Sequence, residues 1–267
     1  MDFSSIFYSI LILGILGLAF GIILGFASKK FEVKLDERVI KIREILPGAN
    51  CGGCGYPGCD AYANALVEDN AEITLCGVGG NSVANKIGEI LGKESKSVER
   101  SFAFVKCFGN SKNKKITLDL KESKDCIEAK EILKESKDEG CTFGCFGLGS
   151  CKEACKFDAI FIEEGIAKID SSKCVSCKAC VKACPQNLIE IIKEGQRVNV
   201  TCSSKEQGKV VNKSCSVGCI GCKICEKNCE VGAIKVFDNL AKIDYEKCTS
   251  CGVCVSKCPK KAISLRD

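Results

Sequence analysis

The hydrophobic pattern of this 267-residue chain changes character along its length. Ile6 to Ala27 form 22 residues without a charge, enough at about 1.5 Å per residue to cross a hydrocarbon core of about 30 Å. That run predicts a membrane anchor. A cleaved signal peptide fits less well: the run is long for one, only Asp2 precedes it as a charge, and no small-x-small cleavage site is evident. Lys29 and Lys30 follow directly, which by the positive-inside rule places the rest of the chain in the cytoplasm. Gly17, Gly21 and Gly25 recur every four residues, with Gly14 near them. Such a face lets another transmembrane helix approach closely.

Beyond the anchor the periodicity is short. From Phe31 to Leu46 charges alternate with Val39, Ile40, Ile42 and Leu46 in a helical pattern that stops at Pro47 and Gly48. A helix is expected from Cys59 through Leu66, and another from about Ser82 to Leu91. "SFAFVKC" (101–107) alternates like a strand, "GNSKNKK" (109–115) reads as an exposed loop, and Asp125 to Lys134 has helical character. "AIFIEEGIAKIDSSKC" (159–174) is answered by "AIKVFDNLAKIDYEKC" (233–248), each predicting a strand, a tight turn, a second strand and a cysteine loop.

Cysteines punctuate this pattern, and there are 24 of them. Cys141, Cys145, Cys151, Cys155, Cys174, Cys177, Cys180 and Cys184 recur 74 residues later as Cys215, Cys219, Cys225, Cys229, Cys248, Cys251, Cys254 and Cys258. The spacing Cys-x2-Cys-x2-Cys-x3-Cys-Pro, from Cys174 to Pro185 and from Cys248 to Pro259, is the bacterial ferredoxin run that wraps a [4Fe-4S] cube, its fourth cysteine reaching to the neighbouring cube. By that rule Cys174, Cys177 and Cys180 share a cluster with Cys155, and Cys248, Cys251 and Cys254 share one with Cys229. Cys219, Cys222 and Cys225 pair with Cys258. In the first repeat Leu148 stands where Cys222 would be, and Cys141 is the nearest substitute, which groups Cys141, Cys145 and Cys151 with Cys184. Exchanging Cys141 for Cys107 or Cys126 is equally allowed by counting.

Upstream, Cys51-x2-Cys54-x4-Cys59 followed after sixteen residues by Cys76 predicts a separate four-cysteine domain. Its Gly52, Gly53, Gly55 and Gly58 let the backbone curl around a bulky inorganic core. Five [4Fe-4S] clusters are thus expected, and the remaining Cys107, Cys126, Cys202 and Cys215 make a possible sixth. Buried free thiols and structural zinc are the alternatives. The fold class is α+β: an N-terminal transmembrane helix (1–30), a small helical four-cysteine domain (31–92), a connecting segment (93–140) and two ferredoxin-like modules (141–194 and 195–267).

Composition narrows the chemistry. With no His, no Trp and Met1 as the single methionine, haem ligation by His or His/Met, a Rieske centre and His acid–base catalysis are excluded. Cysteines two residues apart are poor disulfide partners and point to a reducing compartment. The formal charge of +5 would fall to roughly −7 with six cubes bound, each about −2 with its four thiolates. No basic stripe interleaved with aromatics supports nucleic-acid binding. No Gly-rich nucleotide loop with a following acidic residue is present, and the apolar span carries no acidic or basic residue for an ion path.

The order of an N-terminal membrane helix, the Cys51 to Cys76 motif, "CTFGCFGLGSCKEAC" (141–155) and tandem ferredoxin runs resembles the B subunit of the Rnf-type ion-translocating electron transport complex over nearly the whole chain. The resemblance implies a cytoplasmic electron carrier in a membrane complex that couples electron transfer between ferredoxin and NAD to Na⁺ or H⁺ movement. Soluble ferredoxin and hydrophobic subunits would be its partners, with NAD and flavin on other subunits. A membrane-tethered polyferredoxin feeding another reductase, such as a complex that reduces a redox sensor, is the alternative, and a zinc-stabilised interaction module a third.

Overall fold

The computed structural model describes residues 3–30, 36–95, 97–116, 118–120, 122–135 and 140–266. Helix α1 (Phe3–Lys30) carries the apolar run, and its window Ile10–Ala27 is long and apolar enough to span a membrane, with none of it buried within the chain. The start of the expected second helical segment, residues 31–35, lies outside the described residues. Helix α2 (Glu37–Ile45) begins where the Asp36 carboxylate accepts the Arg38 N–H at 2.8 Å, and stops before Pro47. Helices α3 (Cys59–Glu68) and α4 (Gly80–Leu91) follow. The three helices close on Val39, Ile42, Leu46, Tyr62, Ala63, Leu66, Ile73 and Ile87, a core built from one face of each. Each large side chain buried there contributes about 1.5–3 kcal/mol, and the Tyr62 hydroxyl donates to the Glu72 carbonyl at 2.7 Å.

Strand β1 (Ser101–Val105) and helix α5 (Cys126–Glu135) come from the stretch expected as a connector. The first ferredoxin-like unit then runs α6 (Ser150–Glu153), β2 (Ile160–Glu163), β3 (Ile166–Ile169), α7 (Ala179–Ala183) and β4 (Ile189–Lys193). After β5 (Val198–Val200) and α8 (Gly208–Ser214) the second repeats it as α9 (Ile224–Lys227), β6 (Ile234–Phe237), β7 (Leu240–Ile243), α10 (Val253–Lys257) and β8 (Ile263–Leu265). Each of these elements begins 74 residues after its counterpart. The β2–β3 and β6–β7 hairpins both turn on two residues of positive φ, Glu164-Gly165 and Asp238-Asn239. Those torsions match the twist of the flanking strands.

The repeat extends further back than its cysteine ladders. β1 pairs antiparallel with β4, Ala103 opposite Ile191, and β5 pairs with β8, Val198 opposite Leu265. Leu265 lies 74 residues after Ile191, so Val198 is the counterpart of Ala103, 95 residues on. By the same offset Cys202 is the counterpart of Cys107. The first repeat is therefore longer by 21 residues between this cysteine and the ladder, and that longer stretch holds α5 and Cys126.

The units are stitched together. Phe108 N–H donates to the Thr201 carbonyl at 3.1 Å, Lys115 N–H to Ser214 and Ser216 N–H to Asn113, both at 2.9 Å. The loop 109–115, expected to be exposed, is in part half-buried, because Lys114 bridges to Cys215.

Candidate functional site

All 24 cysteines are free thiols, and the structure gathers them into six sets. In the first, Cys51, Cys54, Cys59 and Cys76 line one hollow between α2, α3 and the α4 approach. Cys59 opens α3, its N–H donating to Asn50 Oδ1 at 2.8 Å, and Cys76 Sγ accepts the Gly79 N–H at 3.4 Å. The second set, Cys155, Cys174, Cys177 and Cys180, lines another hollow, with Ala103 N–H donating to Cys174 Sγ at 3.3 Å. The fifth, Cys219, Cys222, Cys225 and Cys258, lines a third hollow, and Cys258 Sγ accepts the Ala262 N–H at 3.4 Å. In the sixth, Cys229, Cys248 and Cys251 surround Cys254 closely enough to add to the rise of its pKa. These four groupings are those the spacing predicts.

The third and fourth sets differ from the expected grouping. The hollow bounded by Cys145, Cys151 and Cys184 is completed by Cys126, not by Cys141. α5 presents Cys126 in its first turn, held by its N–H to Ser150 Oγ at 3.0 Å and by an Asp125 cap that accepts the Ile127 and Glu128 N–H groups at 2.7 and 2.9 Å. Leu148, which stands where the regular ladder has a cysteine, packs on the apolar cluster of Ala129, Leu133 and Phe146, as Cys126 itself does. One cysteine was lost from the loop and another arrives on a helix. Cys141 instead faces Cys107 and Cys215. A methyl placed on Gly109 would lie 3.6 Å from the sulfurs of both Cys107 and Cys215, and one on Gly144 would lie 3.5 Å from that of Cys141 and 3.8 Å from that of Cys107. Cys202 completes this fourth set, the Cys219 and Cys141 thiols both adding to the rise of its pKa. The set consists of two repeat-related pairs, Cys107 with Cys202 and Cys141 with Cys215, and it sits where the units meet. Counting the ladders missed this, and the signal that finds it is the match of "AFVKC" (103–107) to "VNVTC" (198–202).

The six sets follow one another in space. Gly53 and Gly77 bring the first against the second: a methyl on Gly53 would lie 3.0 Å from the Cys177 carbonyl oxygen, and one on Gly77 would lie 3.0 Å from that of Val175. Cys180 of the second stands among the thiols that bear on Cys151 of the third. Cys145 of the third donates its N–H to Cys107 Sγ of the fourth at 3.4 Å. Cys202 of the fourth neighbours Cys219 of the fifth. Cys258 of the fifth and Cys254 of the sixth lie one helical turn apart on α10 and just past its end. Cys222 and Cys251, in the last two sets, are the exposed ones.

The donors fit iron–sulfur cubes. Burial pushes Cys151, Cys180 and Cys202 up to about 12 and Cys225 and Cys254 up to about 11, and neighbouring thiols add to the rise. Such thiols stay protonated at neutral pH unless a cation compensates them. The loops of the ferredoxin runs turn through positive φ at Ser176 and Lys178, Gly221 and Lys223, and Ser250 and Gly252. Residues of this kind swing successive N–H groups inward, a lining suited to an anionic cluster.

Comparison with known proteins agrees. Residues 46–78 match the family described as "Putative Fe-S cluster", residues 167–190 the "4Fe-4S binding domain" and residues 218–262 the "4Fe-4S dicluster domain". The chain is 47% identical over 254 residues, 95% of its length and 76% of the relative's, to the B subunit of the Na(+)-translocating ferredoxin:NAD(+) oxidoreductase complex of Acetobacterium woodii. It is 44% identical to the B subunit of the ion-translocating oxidoreductase complex of Methanosarcina acetivorans, covering 98% of this chain and 99% of that one. It is 36% identical to the B subunit of the proton-translocating ferredoxin:NAD(+) oxidoreductase complex of Clostridium ljungdahlii, covering 97% and 92%. With its apolar N-terminal helix, its iron–sulfur domain and its paired four-iron domains, the chain belongs to the family of B subunits of ion-translocating oxidoreductase complexes.

Proposed function

We propose that this chain is the electron conductor of such a complex, carrying six [4Fe-4S] clusters in a single file between soluble ferredoxin and membrane-bound partners. Bound cubes supply one-electron carriers; the chain supplies thiols to hold them, amides to stabilise their charge and close backbone approaches to bring them near one another. The observation that carries this reading is the unbroken succession of six four-thiol sets, each neighbouring the next. Ferredoxin meets the open end at Cys222 and Cys251, and the first set, next in the chain to α1, faces the other subunits. NAD and flavin belong to those subunits, as does the path for Na⁺ or H⁺, because α1 has no acidic or basic side chain inside its apolar span. Lys29 and Lys30 in its last turn favour a cytoplasmic location for all six sets. The open face at Gly14, Gly17, Gly21 and Gly25, with nothing within 4 Å, suits a partner helix.

Anaerobically prepared full-length protein tests this. Six cubes require about 24 iron atoms per chain, with broad visible absorption bleached by dithionite. An iron content below about 12, or zinc in its place, overturns the assignment.

A further inference from the structure

Lys114 lies between the third and fourth thiol sets. Its backbone bridges to Cys215, and the flanking Lys115 and Ser216 N–H groups lock that bridge. The geometry sends the side chain across the junction. Its Cγ lies 3.9 Å from a methyl position on Gly109 that is itself 3.6 Å from the sulfurs of Cys107 and Cys215. Its ammonium donates to the Cys145 carbonyl at 2.7 Å. The tip therefore belongs to the third set and the stem to the fourth, and the charge bears on both Cys145 and Cys141. Two nearby lysines are neutralised, Lys106 by Glu190 at 2.8 Å and Lys112 by Glu164, whereas Lys115 turns away to donate its ammonium to the Asn212 carbonyl at 2.8 Å. Among the described residues no carboxylate forms an ion pair with Lys114.

A half-buried cation without a carboxylate partner needs compensation. Two cubes, each about −2 with its thiolates, would provide it. One-electron reduction by dithionite takes such a cube to about −3 without making or breaking a bond, and an adjacent ammonium favours the more negative form.

We propose that Lys114 is an electrostatic bridge which raises the reduction potentials of the two central clusters together and eases the repulsion between them when both are reduced. The proposal rests on the six-cluster reading and its ligand sets. Its test is a paramagnetic-resonance-monitored redox titration of the full-length holo-protein, with iron counted in each sample. In Lys114→Gln, which keeps an N–H donor and loses the charge, two clusters should titrate at lower potential while the other four are unmoved. Lys114→Arg should leave all of them close to wild type. An iron-replete Lys114→Gln protein with unchanged potentials overturns the bridge, as does an Arg variant that shifts as far as the Gln variant. Loss of iron from Lys114→Gln with retention in Lys114→Met would show that the amide itself disturbs the site; the Met variant then decides, and unshifted potentials there overturn the proposal. Failure of the ligand sets is distinguished by Cys126→Ser and Cys202→Ser: full iron in both variants refutes the sets, whatever the behaviour of Lys114.

Discussion

Cys126 and Leu148 show how a single ligand can move. In the second repeat the loop supplies Cys222; in the first that position is Leu148, and Cys126 of α5 lines the hollow in its place. Cys126→Ser is therefore expected to lose one cube, about four irons per chain, and Cys126→Ser combined with Leu148→Cys to recover it. Iron analysis beside the magnetic spectrum reads both outcomes. The buried thiols also set a pH dependence. Their folded pKa values lie above the ordinary 9.0, so the cluster-free chain holds them neutral. That contribution to stability is complete below about pH 9 and is lost as pH rises through the folded values toward about 12. Thermal melts of the cluster-free protein should fall across that window. Cluster insertion at neutral pH should release protons, measurable in weakly buffered solution.

At the scale of elements, α1 and the short strands act differently. α1 is apolar on every side along Ile10–Ala27, and that window packs against nothing among the described residues, so its stability depends on lipid or on partner helices. Removing residues 3–30 should release an iron-replete protein from the membrane fraction, and an iron-poor soluble product would contradict the separation of anchor from cluster domains. β1 and β5 place Cys107 and Cys202 four residues beyond equivalent strand positions, which ties the central set to sheet register. The docking of the helical domain rests on backbone. Gly53→Ala would drive a methyl to 3.0 Å from the Cys177 carbonyl oxygen, costing the docked arrangement about 1–3 kcal/mol. Its iron should stay in place while reduction of the first cluster through the C-terminal end slows in rapid-mixing experiments.

At the scale of the molecule, the fourth set joins the two repeats. Its four cysteines come from four separate segments, so losing one interrupts the file at its middle. Cys202→Ser is expected to leave five clusters and to confine electrons entering at Cys251 to the last two. Reduction of the first set at the wild-type rate in that variant would refute a single file.

The anchor, the ferredoxin runs, the hairpins and the helical four-cysteine motif were legible in the chain because each is local: a cube wrapped by neighbouring thiols leaves its spacing in the sequence, and so does a helix face or a two-residue turn. Residue order alone determined that this protein carries cysteine-rich four-iron binding motifs beside a membrane-length helix, and that its two C-terminal modules repeat one another. Only tertiary structure decided that Cys126 belongs with Cys145, Cys151 and Cys184, that Cys107, Cys141, Cys202 and Cys215 meet, and that Gly53 seats the first set on the second. Those contacts join segments far apart in the chain, and the strand pairing and close packing that bring them together leave no fixed spacing between the residues involved.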